Sequence, residues 1–191
     1  FGIVYGVSAF GLSNQTSLNR AEAKALIDAY YETYPQLKNY MRLQVDFARE
    51  NGYVETVLGR RRYLKDINSQ NSIVRGAAER NAVNAPIQGS AADIIKIAML
   101  RIHEKLSDFE SKMLLQVHDE LVFDAKKSEL DALTSMIKTE MEQAYALQVP
   151  LVVDVGTGMN WLEAHWFSFF GLLFTLLIVH LQPVFSQLKR N

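Results

Sequence analysis

The sequence predicts an α+β fold, with an antiparallel sheet covered by helices on one face. Three observations support this prediction. Apolar residues recur at helical spacing in the first half of the chain, helices and short apolar strands alternate in the second half, and no repeat or low-complexity linker interrupts them. The 191 residues are 49% hydrophobic and 21% charged, which is typical of a globular domain with a substantial core.

Two helices are predicted near the start. In the first, Asn19 and Glu22 have the spacing of a capping box, and Pro35 ends the helix because proline lacks the amide hydrogen that a helix interior needs. The second helix is expected over about residues 36–50, with Gly52 as its stop. Two amphipathic helices therefore precede the first strands.

A strand pair and two further helices are predicted next. The stretch GYVETVLGRRRYLKD has the pattern of two short strands around Gly59. A helix follows over about residues 71–85, and Pro86 is predicted to break it. Ser90 and Asp93 have capping-box spacing, so a new, mostly buried helix is predicted to begin there.

A hairpin, a helix and a strand complete the predicted fold. The stretch LLQVHDELVFD, residues 114–124, has apolar residues on both sides of a polar centre, which favours a hairpin. Ser128 and Asp131 are predicted to cap the following helix. The stretch VPLVVDVG, from Val149, predicts the last strand.

The final segment, residues 166–191, differs from the rest. Its residues 166–181 are almost entirely apolar, but a membrane-spanning helix usually needs ~20 such residues and at least about 17. We expect this tail to be foreign to the fold, dispensable, and either a protruding helix or a surface segment. A membrane or partner anchor and ordinary core are the weaker alternatives.

Charge is unevenly distributed along the chain, although the net charge is only −1. Residues 1–100 hold 12 Lys and Arg against 9 Asp and Glu, whereas residues 101–165 hold 6 against 12. A basic segment followed by an acidic one is compatible with a phosphate-binding surface. The chain has no cysteine, which excludes disulfides and thiolate metal sites. It begins at Phe1 in mid-pattern, so we expect a preceding part.

The polar centre of the predicted hairpin carries His118, Asp119 and Glu120. Adjacent carboxylates in an apolar frame are unfavourable unless something neutralises them, and a hard cation such as Mg²⁺ favours carboxylate ligands. Because adjacent strand residues point to opposite faces, one carboxylate should be the ligand and the other a neighbour. A polar turn without a metal is the alternative.

A polar stripe on the predicted helices suits nucleic-acid binding. Arg80, Asn84 and Gln88 recur every four residues, and Gln88 continues the stripe if Pro86 only bends the chain. Arginine donates several hydrogen bonds, while asparagine and glutamine both donate and accept them. A solvated helix face is the alternative.

Two interpretations are open for the basic arm, residues 60–65, and two for the first residues of the chain. Arg60 to Lys65, in GRRRYLK, would contact phosphates or protect an edge strand by charge. Phe1 and Tyr5 would share a helical face, where they would stack on a base or pack in the core.

Together these segments resemble a known family. Five segments occur in the same order as in the C-terminal part of the family A DNA polymerases. They are FGIVYG, GYVETVLGRRRYL, AAERNAVNAPIQGSAADIIK, QVHDELVFD and VDVGTGMNWLEAH. The resemblance covers residues 1–165 and implies a partial polymerase palm plus the helical end of the fingers. It implies fingers at residues 1–75, palm at 76–165 and a non-family tail at 166–191.

The resemblance also implies a role for each candidate residue. Asp119 would be the catalytic metal ligand in a site for two Mg²⁺ ions, as in polymerases generally, with Glu120 as a supporting carboxylate. His118 would lie near the primer end, and Phe1 and Tyr5 would contact the incoming nucleotide and the nascent base pair. The other positions implied to contact DNA are Arg60, Arg75, Arg80, Asn84 and Gln88.

These roles imply template-directed addition of deoxynucleotides to a primer 3′ end in the bacterial cytoplasm. Primer–template DNA and deoxynucleoside triphosphates would be the partners. The family's other catalytic aspartate lies in a motif N-terminal to Phe1, so this chain alone should be inactive, with the N-terminal part of the same polymerase as its missing partner. The alternative is a non-catalytic DNA-binding module that keeps the fold.

Overall fold

A computed structural model describes the backbone of residues 2–166 and 175–181 and the side chains of residues 2–164. The chain forms two compact units, Phe1–Ser90 and Ala91–Asn191, which we call the N-terminal and C-terminal units. The mixture of helices and short antiparallel strands confirms the predicted α+β class. The assignment of residues 1–75 to fingers and 76–165 to palm stays a prediction.

The N-terminal unit consists of helices and one small hairpin. Its elements are α1 Ala9–Gln15, α2 Arg20–Thr33, α3 Pro35–Asn51, β1 Tyr53–Glu55, β2 Arg61–Tyr63 and the first half of α4, Ser72–Lys105. Its core is built from small and branched apolar side chains: Ala48, Val54, Leu64, Ile67, Ala78, Ala82 and Ala85. Many alanines in the core allow the helices to pack closely.

The predicted limits of α2 and α3 are confirmed by their caps. The Asn19 side chain accepts hydrogen bonds from the amides of Ala21 and Glu22, and the Glu22 carboxylate accepts one from the Asn19 amide at 2.8 Å. Pro35 begins α3, where a missing amide hydrogen is harmless, and Gly52 ends it with φ 77°.

The first residues were predicted to be helical, but they are not. Residues 2–6 form a turn, so Tyr5 does not lie on a helix, and Phe1 lies outside the described residues. The amide of Gly6 donates to the carbonyl of Ile3, which closes this turn. The helix α1 follows, with Ser8 as its cap, and was not predicted.

The predicted break at Pro86 is wrong, because α4 continues through it from Ser72 to Lys105. Ser90, predicted to cap a new helix, lies inside α4, where its hydroxyl donates to the carbonyl of Pro86. Ala82, Val83 and Ala85 beside the proline are buried. Packing along this buried face compensates for the hydrogen bond that a proline removes, so tertiary contacts override the local preference.

The C-terminal unit is a four-stranded sheet with helices. Its elements are the second half of α4, β3 Lys112–Val117, β4 Glu120–Ala125, α5 Leu130–Glu142, β5 Val153–Gly158, α6 Trp161–Trp166 and β6 Thr175–Leu181. One apolar core joins α4, α5, β4 and β5: Ile94, Ile95, Ala98, Ile102, Leu121, Phe123, Ala125, Leu133, Ile137, Met141, Ala144, Leu151 and Val153. The predicted hairpin is confirmed, and the last predicted strand begins at Val153 rather than Val149.

The sheet has helices on both faces, although only one covered face was predicted. Leu121 and Phe123 of β4 pack in the core with α4 and α5. The intervening Val122 packs instead against Ala164 of α6. Because successive strand residues point to opposite faces, α6 covers the face opposite α4 and α5.

Beyond α6, the described part of the tail is a strand and not the protruding helix that was predicted. Residues 175–181 form β6, which lies inside the sheet, in the strand order β3-β4-β6-β5. Every neighbouring pair is antiparallel. Residues 167–174 and 182–191 lie outside the described residues. Within the described part of the chain, no helix is long and apolar enough to cross a membrane.

The predicted cap of α5 is also wrong. Ser128 and Asp131 form no capping box, and a short 3₁₀ turn, Lys127–Glu129, leads into the helix instead. The Glu129 carboxylate is engaged elsewhere, with Ser111 and the amide of Glu110. One face of α5 is buried in the core, since Leu133, Ile137 and Met141 are buried.

Candidate functional site

The hairpin β3–β4 ends in a two-residue turn made of His118 and Asp119. His118 has φ 54°, a conformation that costs a non-glycine residue roughly 1–2 kcal/mol. The side-chain amide of Gln116 donates to the carbonyl of His118 and so supports the turn. His118 is exposed, Asp119 is half-buried, and Glu120, the first residue of β4, is 7% exposed.

A buried strand fixes the position of this tip. Leu121, Val122 and Phe123 of β4 are at most 2% exposed, and β4 pairs on both sides, with β3 and β6. A carboxylate at the end of such a strand has little freedom to move. Asp119 and Glu120 both take part in polar interactions of the folded chain.

The tip contributes carboxylates but does not assemble a full metal site. No cluster of three or more His, Asp or Glu side chains able to hold an ion occurs among residues 2–164. Asp119 and Glu120 are suitable oxygen donors for a hard cation, which usually takes further protein or water ligands. The donor set therefore fits one part of a metal centre.

A cavity of about 400 Å³ lies in the N-terminal unit, and Tyr5 and Arg80 both line it. Met41 of α3 and Val83 of α4 supply part of its apolar lining. The hydroxyl of Tyr31 donates to the carbonyl of Ile3 at 3.0 Å, which ties the turn carrying Tyr5 to α2. Burial raises the pKa of Tyr31.

Charged residues at the rim of this cavity are paired with one another. Arg42 contacts Asp46 at 3.2 Å, and Arg49 contacts Glu79 at 2.7 Å. An amphipathic helix was predicted here, but the sequence did not indicate that α3 borders a cavity with Tyr5. Only contacts between distant segments bring these residues together.

The predicted stripe Arg80, Asn84 and Gln88 lies on the single helix α4. Arg80 and Gln88 are exposed, and Asn84 is half-buried. The Asn84 side-chain oxygen is buried and has no hydrogen-bond partner. Such an orphan acceptor is unfavourable by roughly 1–3 kcal/mol, and a ligand that donates to it would remove this cost.

The basic arm β1–β2 is anchored on α4. The amide of Val57 donates to the Ser90 hydroxyl at 2.9 Å, and the Arg60 guanidinium donates to the carbonyl of Gly89 at 3.1 Å. A Cβ at Gly89 would lie 2.5 Å from the Thr56 methyl, so only glycine allows this close approach. The sequence did not indicate the roles of Thr56, Gly89 and Ser90.

Arg60 and Arg75, predicted DNA contacts, also make contacts within the unit. Arg75 donates to the carbonyl of Ser69 at 2.9 Å and lies 3.7 Å from Glu79. These bonds position the guanidinium groups at the start of α4 and on the arm. These contacts within the unit do not test binding to DNA. The DNA contacts of Arg60 and Arg75 stay a prediction, and so do the roles of the other candidate site residues.

Comparison with known proteins agrees with this architecture. The sequence pattern of DNA polymerase family A matches residues 1–163. DNA polymerase I of Streptococcus pneumoniae serotype 4 is 54% identical over 166 residues, which are 86% of this chain and 19% of that protein. DNA polymerase I of Caldicellulosiruptor bescii is 52% identical over 165 residues, 85% of this chain and 19% of that protein.

A solved structure is similar as well: the POL domain of Pol1 from M. smegmatis in complex with DNA primer-template and dNTP. The TM-score is 0.82 at 48% identity, over 86% of this chain and 29% of that chain. This chain spans about a fifth of the length of the curated relatives it matches. With a match over most of its length, the chain belongs to DNA polymerase family A.

Proposed function

We propose that this chain is part of a DNA-directed DNA polymerase that adds deoxynucleotides to a primer 3′ end. The single observation that carries the proposal is the Asp119 tip: a carboxylate in a strained turn at the end of a buried, doubly paired strand. The positive φ of His118 is the conformation that a two-residue hairpin turn requires, and this tight turn holds Asp119 at the very end of the hairpin. Family membership supplies the reaction.

In this function Asp119 would hold Mg²⁺ as one ligand of a two-metal centre, and Glu120 would be the neighbouring carboxylate. The metal ions, when bound, stabilise negative charge on the attacking and leaving oxygens of phosphoryl transfer. Asp119 supplies an oxygen ligand from a fixed position, and the apolar strand beneath it prevents the carboxylate from drifting. The remaining ligands belong to a part of the polymerase that precedes the matched region.

The stripe on α4 contacts primer–template DNA in this proposal. The support is chemical: Arg80 donates, Gln88 donates and accepts, and Asn84 has a buried oxygen without a partner. Minor-groove acceptors are nearly the same for every correct base pair, so contacts of this kind test pairing without recognising sequence. Arg60, Arg75 and His118 are proposed as further DNA contacts.

Tyr5 and Phe1 are proposed to contact the incoming deoxynucleoside triphosphate and the nascent base pair. The cavity has both an aromatic residue, Tyr5, and a cationic residue, Arg80, in its lining. Aromatic rings stack on bases of any sequence, which suits a polymerase that must copy every template. The relatives come from bacteria, so the proposed setting is the bacterial cytoplasm.

A second candidate function is a DNA-binding module without catalysis. It is favoured by one observation, that residues 2–164 hold no complete cluster of metal ligands. The two candidates make the same prediction for the isolated chain, which should not extend a primer. They differ only when the rest of a polymerase is supplied.

The experiment is therefore a chimera, in which residues 1–165 replace the matching region of Streptococcus pneumoniae DNA polymerase I. We expect template-dependent primer extension with Mg²⁺ and deoxynucleotides, within about tenfold of the unmodified relative. Gel-resolved extension of a labelled primer measures it. A folded chimera that binds primer–template but does not extend it would favour the non-catalytic module.

A further inference from the structure

The arm β1–β2 carries an aromatic cluster that the function proposed above does not use. The centroid of the Tyr53 ring lies 5.8 Å from that of Phe47 in α3 and 5.8 Å from that of Tyr63 in β2. The Arg61 guanidinium lies 4.4 Å from the centre of the Tyr53 ring and pairs with Glu55 at 2.7 Å. The aromatic cluster thus consists of three rings, Phe47, Tyr53 and Tyr63, with a cation over the one that contacts both others.

Two rings of the aromatic cluster reach the surface. The Tyr63 side chain is 67% exposed and Phe47 is 39% exposed, whereas Tyr53 is half-buried. The cross-strand pair of Tyr53 and Tyr63 helps to hold the two strands together. This packing covers only part of the Tyr63 side chain, so most of it stays accessible to a ligand.

The aromatic cluster lies on the outer face of the arm. Val54 of β1 is 1% exposed and belongs to the same core as Ala78 of α4. Because successive strand residues point to opposite faces, Tyr53 and its cross-strand partner Tyr63 point away from this core. The outer face therefore differs from the face by which the arm packs on the N-terminal unit.

The arm is also strongly basic. Residues 53–65 contain four basic side chains and one acidic side chain, a net charge of +3: Arg60, Arg61, Arg62 and Lys65 against Glu55. All four basic residues are exposed. A positive surface of this kind attracts a polyanion. Charge complementarity thus favours a nucleic acid as the ligand of the outer face.

Exposed rings beside cations suit a single strand better than a duplex. Unpaired bases stack on aromatic side chains, while lysine and arginine contact the phosphates. In a duplex the faces of the bases are covered by neighbouring base pairs, so only the backbone would be accessible to the rings. Membership of a DNA polymerase family indicates DNA as the nucleic acid.

We propose that the outer face of the arm is a binding site for single-stranded DNA, in which bases stack on Tyr63 and Phe47 and the basic residues of the arm contact the phosphates. In a polymerase the bound strand is the unpaired part of the template, and this identity alone rests on the proposed function. Binding itself needs no catalysis, so the full 191-residue chain is the material for the test.

The experiment compares two substitutions of the most exposed ring. Tyr63→Leu keeps an apolar side chain but removes the ring, and Tyr63→Phe is the matched control that keeps the ring. The probe is a fluorescein-labelled oligo(dT) strand. An abasic strand of the same length and a blunt duplex are the control ligands. Fluorescence anisotropy measures the affinities, and circular dichroism verifies that each variant is folded.

We expect Tyr63→Leu to bind oligo(dT) about tenfold more weakly than the unmodified chain, because one stacked base contributes roughly this much to affinity. Tyr63→Phe should remain within about twofold. For the abasic strand and the blunt duplex both variants should also remain within about twofold, since neither ligand presents an accessible base face.

Two results would overturn the proposal. One is an unchanged affinity of Tyr63→Leu for oligo(dT), which is the result expected if the rings bind a protein partner or only stabilise the hairpin. The other is an equal loss of affinity for the abasic strand, which would show that Tyr63 does not act by stacking on bases.

A primer–template with an unpaired template extension tests the identity of the strand. Tyr63→Leu should weaken the binding of this DNA about as much as that of oligo(dT), while the blunt duplex is unaffected. This result does not depend on whether the chimera described above extends a primer. Equal binding of the extended primer–template by Tyr63→Leu and the unmodified chain would overturn the assignment of the bound strand to the template.

Discussion

The two hairpins of this protein differ in almost every physical respect. The arm β1–β2 has strands of three residues, forms a sheet by itself, and exposes every residue of β2. The hairpin β3–β4 has strands of six residues, belongs to a four-stranded sheet, and buries most of β4. Both turns contain a residue with positive φ, Gly59 at 77° and His118 at 54°.

This difference fits the two tasks proposed above for the arm and the tip. The exposed arm carries arginines, and long-range attraction to phosphate needs charge more than accurate placement. The buried hairpin carries a carboxylate in a strained turn, and metal-assisted chemistry needs ligands held within a fraction of an ångström. Changes at the tip should therefore affect turnover, and changes on the arm should affect binding.

The largest expected effect is on turnover. In the chimera described above, Asp119→Asn keeps the shape of the side chain but removes the charge that binds metal. We expect primer extension to fall by roughly a thousandfold or more, equivalent to about 4 kcal/mol, with little change in primer–template affinity. Glu120→Gln should reduce turnover less. Single-turnover extension and fluorescence anisotropy measure the two quantities.

Two controls accompany this test. Asp131→Asn, an equal change at an exposed position of α5, should leave turnover unaltered. Arg62→Ala on the exposed arm should weaken DNA binding modestly and reduce its salt dependence while turnover at saturating DNA is retained. A greater loss of turnover in Glu120→Gln than in Asp119→Asn would reverse the roles assigned to the two carboxylates.

A large effect on stability is expected from Phe123→Ala in β4. Phe123 is fully buried in the core of the C-terminal unit, so the substitution removes apolar contacts and leaves a cavity, at about 3–5 kcal/mol. The matched change on the arm is Tyr63→Ala, where the side chain is 67% exposed. There we expect about 1 kcal/mol, mainly from the contact with the Tyr53 ring.

Urea unfolding of the full chain, monitored by hydrogen exchange in each unit, would measure the loss of stability in the two variants. Similar losses in both would contradict the difference proposed between a structural hairpin and a peripheral arm.

A smaller effect is expected at the anchor of the arm. Gly89→Ala places a methyl group 2.5 Å from the Thr56 methyl, so the arm must move, at about 1–3 kcal/mol. Gly76→Ala is the control in the same helix, because its new methyl group meets only the Arg80 guanidinium at 3.8 Å. Gly76→Ala should stabilise the chain by about 0.5–1 kcal/mol through helix propensity. Thermal melting distinguishes the two directions.

The smallest effect concerns the base of the hairpin β3–β4. The Ser111 hydroxyl and the amides of Glu110 and Ser111 donate to the Glu129 carboxylate, which lowers the Glu129 pKa. A lowered pKa stabilises the folded state above the unfolded pKa, and this contribution disappears as pH falls through the folded value. Glu129→Gln should therefore lower the melting temperature slightly at neutral pH and not at strongly acidic pH.

Melting of the wild type and Glu129→Gln across a pH series, with Glu104→Gln as an exposed control, checks the last expectation. A difference that grows as the pH falls would contradict the assigned direction of the pKa shift.

Local structure was largely predictable from the sequence. Three local features formed as expected: the Asn19–Glu22 capping box, the helix end at Gly52 and the hairpin around His118 and Asp119. Each depends on hydrogen bonds between residues a few positions apart. The tip residues were also identified from the sequence, since their order matches a known family, although their catalytic roles stay proposals.

Tertiary structure decided the features that involve distant residues. Helix α4 continues through Pro86 because its buried face packs in the core, which outweighs one missing hydrogen bond. The cavity beside Tyr5 forms because α3 and α4 both border it. The strand β6 pairs with β4 and β5, which are distant from it in the sequence, and an apolar sequence alone does not reveal such partners.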